Sequence, residues 1–148
     1  MNKVFPPNAL KVKMSTSNKI NKKINEKMTE TIIKKSTSNQ ESISKRIEEL
    51  DREWDTERIL ETNASIFIII SIILGFLISK LWFFLAALIA FYLLQHAIQG
   101  WCPPLPIIRK LGVRTMSEIN TEKTVLKVLR GDFENCKSNT VELIKAAE

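Results

Sequence analysis

Glycine, histidine and cysteine are scarce in this chain of 148 residues, which holds four, one and two of them. Four scattered glycines build no Gly-rich phosphate loop, and a lone His96 cannot supply a paired-histidine metal motif on a helix. No Ser or Cys stands in a nucleophile motif. Cys102 and Cys136 are too few and too far apart for a disulfide framework. No long apolar run follows Met1, so a cleaved secretory signal is not expected. Together these absences weigh against an autonomous enzyme, and the expectation is no catalytic residue, no cofactor and no metal.

Charge is also missing where it would be most informative. Between Thr62 and Ile108 the one formally charged residue is Lys80. From Thr62 to Ser79 eighteen residues carry no charge and eleven are Ile, Leu or Phe. At about 1.5 Å per residue this run reaches about 27 Å, close to the hydrocarbon thickness of a bilayer. A second run, Leu81 to Gln99, has ten Leu, Ile or Phe residues and is of similar length. One continuous helix would be nearly twice too long and would bury Lys80 at mid-membrane, so a hairpin turning at Ser79 and Lys80 is the cheaper solution. The turn is unusual in having no Gly, Pro or Asn between Ile78 and Trp82. A soluble core hairpin would need covering, and the rest of the chain has too little apolar material to do it.

The remaining charge is patchy. Residues 1–40 carry a net +7, residues 41–61 a net −4 and residues 109–148 a net +2. The basic residues flanking the runs outnumber Lys80 in the turn, which by the positive-inside rule places both termini in the cytoplasm. The basic excess lies in tails, not in a nucleic-acid patch, so no nucleic-acid partner is expected. Both cysteines then fall in a reducing compartment.

Residues 1–40, rich in Lys, Asn, Ser and Thr, read as a disordered basic tail. Ile20, Ile24, Met28 and Ile32 recur every fourth residue, which leaves open a basic amphipathic helix on anionic lipid. From Glu41, the spacing of Ile43, Ile47, Leu50 and Trp54 predicts one face of a juxtamembrane helix over 41–61. That face is a candidate interface, either between two copies or for a cytoplasmic protein partner. Ala86, Ala87 and Ala90 in the second run would let two spans approach closely and form the second candidate interface. His96 reads as a residue of the membrane boundary, with a proton-linked switch and a ligand as alternatives. Gly100 to Pro106 must end the helix, because three prolines fall within four positions. Thr115 and Glu118 have capping-box spacing, and Met116, Ile119, Leu126 and Leu129 predict a helix that Gly131 stops, with a face that is an alternative surface for a cytoplasmic partner. Val141 and Ile144 suggest a further weak turn. Cys102, fixed by Pro103 and a few residues from Arg109 and Lys110, is the candidate thiol site, since nearby cations favour a thiolate. Before that, it reads as a small apolar residue packed at a helix end, with no reaction partner visible.

The two short spans followed by Gly100, Trp101, Cys102 and Pro103, then Leu111, Gly112 and Thr115, resemble the YgaP-like transmembrane domain, a bacterial inner-membrane family of unassigned function. The resemblance covers roughly residues 60 to 115. The chain is also similar to uncharacterised bacterial proteins in Glu53, Trp54, Asp55, Glu57 and Arg58 before the spans, and in Leu129, Arg130, Gly131, Asp132 and Phe133 after them. The family resemblance implies a dimerising anchor in the bacterial inner membrane. In the family's named member this domain follows a rhodanese sulfurtransferase domain. Only about 60 residues precede the spans here, so sulfurtransferase activity does not carry over. The stretch from Cys102 to Leu111 is also longer and richer in proline than the family pattern.

The sequence therefore predicts an all-α membrane protein: a two-helix transmembrane hairpin with a proline-rich cap over 62–108, flanked by cytoplasmic amphipathic helices in 41–61 and 109–148. Its expected partners are the lipid bilayer and a second copy in a homodimer. Its expected role is a non-enzymatic scaffold or anchor. The alternatives are a thiol or sulfur relay through Cys102, working with a separate sulfurtransferase, and anionic-lipid binding by the basic tail.

Overall fold

A computed structural model describes residues 6–134 and Leu143. All regular structure among them is helical: α1 (Lys11–Met14), α2 (Asn18–Ser36), α3 (Gln40–Arg52), α4 (Thr56–Leu77), α5 (Trp82–Gln99), α6 (Leu105–Lys110) and α7 (Met116–Arg130). Two of the helical stretches are long and apolar enough to cross a membrane, one ending at Leu77 and the other α5. The chain divides into two compact units. One takes the chain as far as Asn21 together with Trp54–Met116; the other takes Lys22–Glu53 and the chain from Ser117.

The first unit is built on the α4–α5 hairpin. Asp55 caps α4, its side chain accepting from the Arg58 amide at 2.7 Å. This satisfies one of the backbone donors that a helix start leaves open. The connection Ile78–Leu81 falls where the single charge was expected to turn the chain. It closes without glycine through local bonds: the Ser79 amide donates to Leu74 O at 3.2 Å and the Trp82 amide to Ser79 O at 3.1 Å. Small residues line the seam between the two helices, with Ser71 and Gly75 buried on α4 and Ala86 on α5. Most of the long apolar side chains of both helices face outward; Leu60 and Phe83 pack inward. Gly100, at φ 76°, ends α5 in the left-handed conformation that glycine adopts without Cβ strain.

Three expectations change, two of them in the chain's first sixty residues. Where a disordered tail was expected, α1 and α2 form, and Val12 and Ile24 are buried. The helix left open by the recurring Ile20, Ile24, Met28 and Ile32 is the alternative that α2 takes. The expected helix over 41–61 is two helices. α3 stops at Arg52, and Asp55 starts α4 six residues before the uncharged run begins. The proline elbow also does more than end α5. Pro104 precedes a new short helix, α6, because proline's fixed φ suits a helix start.

In the second unit, Ile43, Ile47 and Leu50 of α3 form a core with Ile119 and Leu126 of α7. α7 ends in a Schellman motif at Gly131 (φ 90°), with the Asp132 amide donating to Lys127 O and the Gly131 amide to Val128 O, each at 3.1 Å. The expected turn at Val141 and Ile144 lies outside the described residues.

Candidate functional site

The base of the hairpin is the most elaborate constellation in the first unit. α1 packs against the end of α5 so closely that a Cβ on Gly100 would stand 2.5 Å from the Lys11 carbonyl carbon. The Lys11 ammonium lies 3.2 Å from a Glu57 carboxylate oxygen on α4, and the Ser15 hydroxyl donates to Gln99 O at 3.4 Å. Beneath this contact, Val12, Leu60, Cys102 and Leu105 form a small apolar core with Ile108 packed against it.

Arg109 ties the base together. Its side chain is fully buried. Nε donates to Thr16 Oγ1 at 3.3 Å, Nη1 to Val113 O at 2.9 Å and Nη2 to Asn21 Oδ1 at 3.0 Å. One guanidinium thus joins the α1–α2 segment to α6 and its following loop, using the fork of donors that distinguishes arginine from lysine. Gly112 (φ 91°) closes α6 in a second Schellman motif. Thr56 adds a further tie, its amide and hydroxyl both donating to Arg114 O, at 2.8 and 2.9 Å.

Cys102 sits inside this base with 4 % of its surface exposed. The sequence led us to expect that nearby cations would favour its thiolate. Instead burial pushes the thiol up from its ordinary value, with a hydrogen bond from the Leu105 backbone opposing the shift in part. His96 is also buried, and neither ring nitrogen meets a hydrogen-bond partner among the described residues. Among those residues no group of three or more His, Cys, Asp or Glu side chains is placed to hold a metal ion.

The expected interfaces divide. Ile43, Ile47 and Leu50 are covered from within the chain by Ile119 and Leu126, so this face is not open to a partner. Trp54 lies beyond the end of α3, exposed, with the Arg58 guanidinium 4.5 Å from its ring centroid. On α7, Ile119 and Leu126 join the core while Met116 and Leu129 remain exposed. The three alanines of α5 also part: Ala86 turns into the hairpin seam, and Ala87 and Ala90 are exposed.

Arg109, Thr56 and the Lys11–Glu57 pair went unread in the sequence. Arg109 was visible there only as a flanking charge, and nothing local to it signals partners 88 and 93 positions away. Asp55 did carry a signal, as a capping residue type just before the helix-forming Thr-Glu-Arg, but it stood inside a charged run read as continuous helix. No protein-family description, curated protein or solved structure matches this chain.

Proposed function

We propose that this chain is a small two-span protein of the bacterial inner membrane, with both ends in the cytoplasm, acting as a non-enzymatic scaffold or anchor that self-associates through its spans. One observation carries the reading: the hairpin is apolar on the outside. Phe76 is 79 % exposed, and Leu77, Ile78, Leu81, Phe84 and Phe91 are similarly bare. In water such a surface would be prone to aggregation; in a bilayer it meets its natural solvent. Nothing charged except Lys80 interrupts it at the turn, where a lysine reaches the headgroups by snorkelling. The flanking basic residues supply the orientation, and the resemblance of residues 60 to 115 to the YgaP-like domain supports the membrane and the dimer.

A cysteine-free form (Cys102→Ser, Cys136→Ser) carrying Lys80→Cys tests the topology. An impermeant maleimide should label position 80 on intact cells, and a cysteine placed at Ser38 only after permeabilisation. Equal labelling of both positions, or release of the protein by alkaline carbonate, would sink the reading. In the same background, Ala87→Cys or Ala90→Cys should crosslink between copies, while Ala86→Cys, turned into the seam, should not.

A second reading is favoured by α2, which presents Lys19, Lys23 and Lys27 exposed at four-residue spacing. Such a stripe suits anionic lipid headgroups. Amide exchange in α2 should slow when the protein moves from neutral to anionic nanodiscs, and Lys19→Gln, Lys23→Gln, Lys27→Gln should abolish the difference. The buried thiol of Cys102 lends no support to a sulfur relay.

A further inference from the structure

Exposed apolar surface continues past the end of α5. Gly100 turns the chain, and from there Trp101 is 40 % exposed, Ile107 65 % and Leu111 79 %. Between them stand Cys102, Leu105 and Arg109, all buried, and Ile108, packed on the same small core. The segment is therefore two-sided. One side is fastened to the hairpin base by the Val12, Leu60, Cys102 and Leu105 core and by the hydrogen bonds of Arg109 to Thr16, Val113 and Asn21. The other shows Trp101, Ile107 and Leu111, with Lys110 exposed beside them.

This fastening decides what the outer side can do. Ile107 and Leu111, the residue that caps α6, are four apart and share one side, away from the buried Leu105 and Arg109. Turning them inward would pull Arg109 off Thr16, Asn21 and Val113, so they stay outward whatever surrounds them. A tryptophan, two aliphatic side chains and a lysine on a short amphipathic segment are the chemistry of a membrane boundary, where rings and branched chains enter the acyl region and the ammonium stays with the phosphates. The segment begins two residues after the last residue of α5, Gln99, so it stands at the level where the apolar face of the hairpin ends.

We propose that residues 101–111 form an interfacial foot. Trp101, Ile107 and Leu111 sit in the headgroup–acyl boundary of the leaflet in which the hairpin's base lies, and Lys110 reaches its phosphates. The foot rests on the reading of α4 and α5 as membrane spans and adds a function to it: it fixes the depth and tilt of a hairpin whose helix α5 is about 27 Å long, slightly short for an average bilayer.

Tryptophan quenching in reconstituted vesicles tests the foot. A form with Trp54→Phe and Trp82→Phe leaves Trp101 as the reporter; Trp54→Phe with Trp101→Phe leaves Trp82, at the opposite end of the hairpin. Lipids brominated in the upper acyl chain should quench Trp101 by about half and shield it from aqueous acrylamide, as expected for a side chain at the boundary. Adding Ile107→Asp and Leu111→Asp should move Trp101 toward acrylamide while Trp82, in the matching Trp82 form, keeps its lipid quenching. Quenching of Trp101 by acrylamide alone, with Trp82 still quenched by lipid, overturns the foot and leaves the hairpin inserted. Lipid quenching of neither, with release by carbonate, overturns the hairpin reading and the foot with it. Trp101 shielded from both quenchers means that protein, not lipid, covers the segment, which also overturns the foot.

Discussion

Phe83 rests on the backbone of Gly75: a Cβ added to Gly75 would stand 2.7 Å from the Phe83 ring. The same ring packs edge-on to Phe76, with centroids 5.1 Å apart. The contact lies one turn below a connection that has no glycine or proline to set its geometry, so the turn is held by packing beneath it. Gly75→Val should therefore splay the outer end of the hairpin and cost about 1–3 kcal/mol, as overpacking does. Thermal unfolding in detergent measures the loss. Combining Gly75→Val with Phe83→Ala should recover part of it, because the second change removes the ring that the first one strikes.

Arg109→Met leaves a shorter, apolar side chain and removes the bonds to Thr16, Val113 and Asn21. The buried oxygens left behind lose their donors, so a destabilisation of roughly 2–4 kcal/mol is expected. Proteolysis between Lys13 and Lys22 should accelerate while the hairpin stays intact. Arg109→Lys should fall between the two, since an ammonium cannot reproduce the fork. Unchanged cleavage in both variants would remove Arg109 from its place as the tie.

On α7, the Glu122 carboxylate is fully buried and accepts from Arg46 Nε at 2.9 Å. Glu122→Ala takes this acceptor from the Arg46 guanidinium, which keeps Glu49 at 3.1 Å, and a loss of about 1–3 kcal/mol is expected. The paired change Glu122→Leu with Arg46→Met should be milder, because it removes both desolvated charges together. Chemical denaturation followed by far-UV circular dichroism separates the two cases.

The Arg130 fork on Asp132, at 2.7 and 2.5 Å, holds the Asp132 carboxyl below the usual carboxylate range. A carboxyl depressed in the folded state adds stability that is present above its unfolded pKa and is lost as pH falls through the lower folded value. Stability should accordingly decline below about pH 4, by about 1 kcal/mol or less for a pair open to solvent. Asp132→Asn should flatten that part of the profile and lower stability at neutral pH by the same amount.

Much of the architecture was already legible in short-range pattern. Two uncharged runs flanking Lys80 fix the two long helices and their turn, because a run of that length has few other ways to leave water. Gly100 before three prolines must stop α5, and Gly131 stops α7, since both follow from local backbone sterics. What pattern could not settle is which apolar face meets which. The Ile43, Ile47 and Leu50 face was legible as a face, but that Ile119 and Leu126 cover it depends on residues about seventy positions away. The packing of the lysine-rich start likewise involves Arg109, which reaches Thr16 and Asn21 from α6. Local sterics and periodicity act over a few residues and are written in the sequence; the burial of one guanidinium against Thr16 and Asn21 is decided by tertiary contact.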